Sequence, residues 1–191
     1  IEYENWSTYT LFADEPHNYS TGFGVSNWDR GFNGLMTMRT ALGQSRNIPA
    51  LKAFQAVEDK VGNKKIYEFV TNLGLTPETN NGTLYESSSL GSVDGNNVLQ
   101  MAAAYATIAN DGEYITPTFY TKVVDSNGKV IIEANQEKER VFSEQNAYIL
   151  KQLLIEPTKS GGTATKCTIS GMNVAAKTGT TSDNYDKWLC G

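Results

Sequence analysis

The stretch NWDRGFNGLMTMRTALGQSRNIPALKAF, residues 27–54, decides how this chain reads. It holds two helical periodicities separated by a short polar junction. Leu35, Met38 and Leu42 recur at helical spacing and predict a first helix that ends at Gly43. Leu51, Phe54, Glu58 and Val61 continue at that spacing, with Glu58 the polar exception, and predict a second. Pro49 falls in its first turn, where the missing N–H costs nothing, and Gly62 closes it. At the junction stands Ser45-Arg46-Asn47. A Ser and an Asn two apart on an interhelical loop can project together toward one cleft. Both residue types are also favoured helix N-caps, and Asn47 before Ile-Pro fits that role.

Outward from this stretch the chain reads as helices followed by strands. Residues 1–34 are rich in Tyr, Asn, Gly and Trp without periodicity, which predicts an extended, irregular lead-in. Ile66, Phe69, Val70 and Leu73 form a third amphipathic helix, stopped at Gly74. The Ser/Gly/Asn-rich segment 80–95 is a loop. A fourth helix carries Val98, Met101, Tyr105 and Ile108, with alanines packed between, and stops at Asp111-Gly112. The period then changes to two. FYTKVV (119–124) and KVIIEA (129–134) read as strands joined by a tight DSNG turn. Ser143 caps a fifth helix with Ala147, Leu150, Leu153 and Leu154 inside, ending by Pro157, and SGGTA (160–164) is a loop. MNVAAKTGTT (172–181) and DKWLCG (186–191) read as two strands around an SDNY turn. The pattern predicts one α+β domain over 1–191, or most of one: lead-in to 34, mostly helical over 35–112, strands and one helix over 113–191.

Composition narrows the function classes. A formal charge of −5 and a pI near 4.9 argue against a nucleic-acid binder, because phosphate contacts need clustered Lys and Arg. No run approaches the roughly 18 apolar residues of a membrane span. The first residues, IEYENWSTYT, lack an initiator Met and the regions of a signal peptide, so the chain reads as a piece of something longer. Cys167 and Cys190 are the only cysteines and His17 the only histidine, too few for a structural zinc site, and no cofactor is implied. A Cys167–Cys190 disulfide and two free thiols are both open, with free thiols favoured. His17, in EPHN, reads as a surface residue, which argues against a Ser-His-Asp triad. Nucleophilic chemistry here needs a base other than histidine.

Lys177 offers one. On a strand, Lys177 and Gly179 share a face while Thr178 and Thr180 share the other. The glycine lets another molecule approach the strand edge closely. Flanking hydroxyls can hold a carboxylate, and an exposed backbone N–H can donate to an oxyanion. A bare K-T-G triplet is equally explained by a strand running into a turn. Paired with S-x-N upstream, it matches two of the three motifs of lysine-assisted acyl-serine enzymes.

Residues 27–54 resemble the second-motif region of class A (bifunctional) penicillin-binding proteins. NNVLQMAAAYATIANDGEYITP (96–117) and SGGTA followed by AAKTGTTSDNYDKW (175–188) resemble the same family's downstream helix and third-motif approach. The resemblance covers nearly the whole chain. It implies a β-lactamase/transpeptidase-like fold, an antiparallel sheet packed with helices, incomplete at both ends. It implies a D,D-transpeptidase that cross-links peptidoglycan stem peptides through an acyl-serine and is targeted by β-lactams. Ser45 matches the proton-relaying serine, Asn47 the asparagine that bonds the substrate amide, and Lys177 the third-motif lysine. Thr178 and Thr180 match the residues that bind the donor's terminal carboxylate, beside Gly179, and the Thr180 N–H matches half of the oxyanion hole. Arg46 occupies the variable middle position and is assigned no catalytic role. The implied location is extracytoplasmic, held by a membrane anchor.

The family's nucleophile, the Ser of S-x-x-K on a helix, has no match in residues 1–44. Ser126-Asn127-Gly128-Lys129 spells it but falls in the DSNG turn, and Ser182-Asp183-Asn184 spells S-D-N but lies in the turn just after the K-T-G strand. The expectation is therefore a site whose serine lies on the remainder of the domain, with this piece inactive alone and exposing sheet edge and apolar surface. Other readings stand beside it: a β-lactam-recognising sensor or silent scaffold on the same fold, an unrelated α+β protein whose triplets are caps and turns, and a hydrolytic β-lactamase, for whose deacylating carboxylate nothing here is a match.

Overall fold

The computed structural model describes residues 1–91, 95–181 and 184–191. In chain order come β1 (Leu11–Asp14), β2 (His17–Asn18), β3 (Gly24–Val25), β4 (Gly34–Thr37), α1 (Met38–Gly43), α2 (Asn47–Val61) and α3 (Asn63–Asn72). They are followed by β5 (Thr79–Asn80), β6 (Thr83–Leu84), a 3₁₀ turn at Glu86–Leu90, α4 (Val98–Ala109) and β7 (Glu113–Ile115). Next are β8 (Lys122–Val124), β9 (Val130–Glu133), β10 (Lys138–Arg140), α5 (Glu144–Leu154), a second 3₁₀ turn at Glu156–Thr158, β11 (Lys177–Thr180) and β12 (Lys187–Cys190). The described strands join two by two, all antiparallel: β1–β4, β2–β3, β5–β6, β7–β10, β8–β9 and β11–β12. The architecture is α+β.

Several local expectations change. Leu35 does not begin a helix. It lies on β4, where 68% exposure at Leu35 and 7% at Met36 show the period of two of a strand. Gly34–Thr37 pairs residue for residue with Asp14–Leu11, so cross-strand pairing from the lead-in overrides the helical spacing, and the lead-in is not simply irregular. Thr37 then starts α1, its hydroxyl accepting the Thr40 N–H at 3.2 Å. On α4 the buried residues are Ala103, Ala104 and Thr107, while Val98 is 69% exposed. Small side chains there let α4 pack on α5, β7 and β12. Asn97 and Gln100 form a capping box at its start.

The segment 80–95, expected as a loop, takes part in the β5–β6 pair and carries the 3₁₀ turn at Glu86–Leu90 among its described residues, and β7 finds an unforeseen partner in β10. The α5 helix and the β8–β9 turn follow the sequence. Ser143 caps α5, which buries Ala147, Leu153 and Leu154. In the β8–β9 turn, Asp125 Oδ1 accepts the N–H groups of Asn127 and Lys129, both at 2.9 Å. One core group gathers Val25, Ile48 and Leu51, with Tyr19 and Leu90 packed against it.

Two backbone contacts align the pieces that matter for the site. Ala176 N–H donates to Leu154 O at 2.8 Å, docking the approach to β11 on the end of α5. Thr163 N–H donates to Gly43 O at 3.2 Å, docking the SGGTA loop on the end of α1. The loop needs its glycine: a Cβ on Gly162 would lie 2.3 Å from Pro157 O.

Candidate active site

Ser45 sits where α1 hands over to α2. Its N–H donates to Leu42 O at 3.1 Å and the Arg46 N–H donates to Ala41 O at 2.9 Å, the bond pair of a Schellman motif. The left-handed position of that motif normally holds glycine, yet here it holds Ser45, with φ of 54°. The turn throws the Ser45 hydroxyl toward β11. Lys177 Nζ donates to Ser45 Oγ at 2.7 Å and to Thr178 O at 2.8 Å, joining residues 132 positions apart. On the opposite face of β11, the Thr178 hydroxyl is 2.8 Å from that of Thr163 in the SGGTA loop. Thr180 is exposed at the strand end. A Cβ on Gly179 would meet only Trp188 Cβ at 3.5 Å, ordinary contact, so the chain's own packing does not require a glycine there.

Asn47 is close by but does not cap α2. Its Nδ2 donates to Ser26 O at 2.8 Å. The cap comes from 20 positions upstream: Asn27 Oδ1 accepts the Asn47 N–H at 2.9 Å and the Ile48 N–H at 3.4 Å. Asn27 Nδ2 in turn donates to Asp14 Oδ1 at 2.7 Å. Asp14, Asn27 and Asp29 have no local sequence signal, and Arg46, which fills the middle of the triplet, proves to be buried at 3% exposure.

Other sequence readings also find their places. Ser126–Lys129 lies in the β8–β9 turn, on no helix. Of the S-D-N triplet, Ser182 and Asp183 lie outside the described residues. Both cysteines are free and half-buried, and burial raises the Cys190 thiol. His17 is half-buried rather than merely superficial, with Nε2 at 2.7 Å from Gln55 Oε1. A depression of about 590 Å³ between β4 and α1 is lined by Leu11, Leu35, Thr40 and Gln44 and contains neither Ser45 nor Lys177. A smaller one of about 150 Å³ lies between Gly43–Gln44 and Ser160–Gly162.

The model of the penicillin-binding protein transpeptidase domain matches residues 1–188. The chain belongs to this family. It is 40% identical over 184 residues to penicillin-binding protein 1A of Clostridium acetobutylicum, a match covering 95% of this chain and 22% of that protein. It spans about a fifth of the length of the curated relatives first matched. Penicillin-binding protein 1A of Haemophilus influenzae has the same fold, with TM-score 0.79 and 24% identity over 96% of this chain and 32% of the other. So does penicillin-binding protein 3 of Mycobacterium tuberculosis in its complex with ampicillin, at TM-score 0.74 and 24% identity, covering 92% and 43% of the two chains.

In this transpeptidase-family chain the electrostatics of Lys177 follow from its position. Burial disfavours the ammonium and lowers its pKa below the usual lysine value. The unfolded chain then holds the proton more tightly than the folded one. Stability therefore carries the full cost of the buried charge at neutral pH and recovers as pH rises from the folded pKa toward the unfolded value. Lys177→Met is expected to show its largest stability advantage over the wild type at neutral pH, with the difference shrinking as pH approaches 10. Thermal unfolding of both proteins across that range checks it; a difference that grows with pH contradicts the sign.

Proposed function

We propose that residues 1–191 are part of a D,D-transpeptidase domain that cross-links peptidoglycan stem peptides and is acylated by β-lactams. The observation that carries this reading is the 2.7 Å bond from Lys177 Nζ to Ser45 Oγ across 132 positions of sequence. The nucleophilic serine and its base lysine belong to the remainder of the domain, outside residues 1–191. Exposed Leu11 (55%) and Leu35 (68%) are surfaces that this remainder would cover.

The residues then take the following roles. The nucleophile's oxygen attacks the donor's D-Ala-D-Ala carbonyl, and its proton passes to the base. Ser45 gives its proton to the departing D-Ala nitrogen and is recharged by the Lys177 ammonium. Burial makes that ammonium the stronger acid, which favours the relay. The acceptor amine later attacks the acyl-serine, and the relay runs in reverse. Asn47 orients the substrate amide. Thr178 and Thr180 hold the donor's terminal carboxylate, Thr178 being aligned by Thr163. Gly179 keeps the strand edge open, and the Thr180 N–H donates to the oxyanion. No helix among the described residues is long and apolar enough to cross a membrane, and the extracytoplasmic, membrane-anchored setting is part of this proposal.

A fluorescent penicillin should label the full-length protein covalently on a serine outside residues 1–191, and this chain alone should stay unlabelled. An adduct on any residue of 1–191 overturns the placement of the nucleophile. The alternative, a β-lactam sensor or silent scaffold on the same fold, labels but forms no cross-linked stem-peptide dimers.

A further inference from the structure

We propose that Arg46 is a positioning residue for the proton relay: it holds Ser45 in its left-handed conformation and thereby aims the hydroxyl at Lys177. This rests on reading Ser45 as the relay.

The guanidinium lies at the centre of a buried set of contacts. Its Nε donates to Asp14 Oδ2 at 2.9 Å, Nη1 to Asp29 Oδ2 at 2.7 Å, and Nη2 to Gly31 O at 2.7 Å. The Arg46 side chain is 1% exposed, Asp14 0% and Asp29 34%. The hydrogen bond from Arg46 holds the Asp29 carboxyl below the usual carboxylate range. Asp14 divides its oxygens: Oδ2 takes Arg46 and the Asn33 N–H, while Oδ1 takes Asn27, the residue that caps α2. One carboxylate thus fixes both the residue after Ser45 and the start of the next helix. The Schellman bonds fix the residues before it.

A merely structural turn has a simpler solution. Glycine at position 45 would avoid the left-handed penalty of roughly 1–2 kcal/mol. A Ser, Thr or Asp at 46 would cap α2 locally, which Arg46 does not do. The chain instead places strain and a buried charge on either side of the relay hydroxyl. Backbone strain of this kind persists only where the surroundings over-determine it, and it gathers at functional sites. The planar fork matters as well as the charge, because it reaches two carboxylates and a carbonyl at fixed angles where a lysine ammonium cannot.

The test measures the second-order rate of acylation by a β-lactam in the full-length protein. Arg46→Met should slow acylation about 100-fold, the scale of a 1 Å misplacement, and Arg46→Lys by less. Because Arg46 acts through Ser45, Ser45→Ala with Arg46→Met should be no slower than Ser45→Ala alone. Losses that add in full overturn the proposal, as does an unchanged rate in Arg46→Met. If the Met variant does not fold, the same cycle is run with Arg46→Lys. If Ser45→Ala acylates at the wild-type rate, the relay reading fails first. A crystal structure of the Arg46 variant then decides the inference independently: Ser45 leaving the left-handed region supports it, and Ser45 staying there overturns it.

Discussion

Lys177→Met in the full-length protein is expected to slow β-lactam acylation by about 100- to 1,000-fold, the usual cost of removing one preorganised donor or proton-transfer group. Lys177 Nζ gives one hydrogen bond to Ser45 Oγ and another to Thr178 O, so the substitution leaves both oxygens without that donor and, in the relay proposed above, removes the proton source. Methionine keeps the length and the apolar stem, which isolates the charge and the proton from packing. Arg at this position should not rescue the rate, since a guanidinium keeps its proton at any working pH and cannot recharge Ser45. Stopped-flow or time-resolved labelling gives the rate directly. A rate equal to that of the wild type would remove Lys177 from the proton path.

Asp14→Ala is expected to destabilise the fold by about 3–5 kcal/mol, the range for breaking a buried ion pair by deleting one partner, and to lower Tm by roughly 10 °C. The carboxylate is fully buried and accepts from Arg46, Asn27 and the Asn33 N–H. Its loss leaves the Arg46 charge with Asp29 alone as ionic partner. Asp29→Ala is the control. Asp29 is 34% exposed, so water replaces part of what it supplies and the loss should be clearly smaller. Equal effects of the two substitutions would show that burial does not set the strength of this network.

The legible and illegible parts of the chain separate by range. The α2 and α5 helices were readable because an apolar residue every three or four positions, a cap and a stop are all local signals. The first helix starts about one turn later than its spacing predicts, because Leu35 keeps helical spacing with Met38 while its backbone pairs with Ala13 across a strand. Asn47 looked like a cap by residue type, but Asn27 supplies that bond from 20 positions away. The same limit hid Arg46. As the middle letter of a triplet it carries no pattern, and its partners stand at positions 14, 29 and 31.

By itself the sequence determined the α+β class, the helices α2 to α5, the β8–β9 hairpin and the triplets Ser45-Arg46-Asn47 and Lys177-Thr178-Gly179, since propensity and motif order need only neighbouring residues. Tertiary structure decided the rest: that Ser45 and Lys177 stand 2.7 Å apart, that a serine occupies a glycine's conformation, and that Arg46 lies buried between carboxylates. The first and last of those facts depend on residues 17 to 132 positions apart being brought into contact, and hydrogen bonds and ion pairs at such separations leave no period in the sequence.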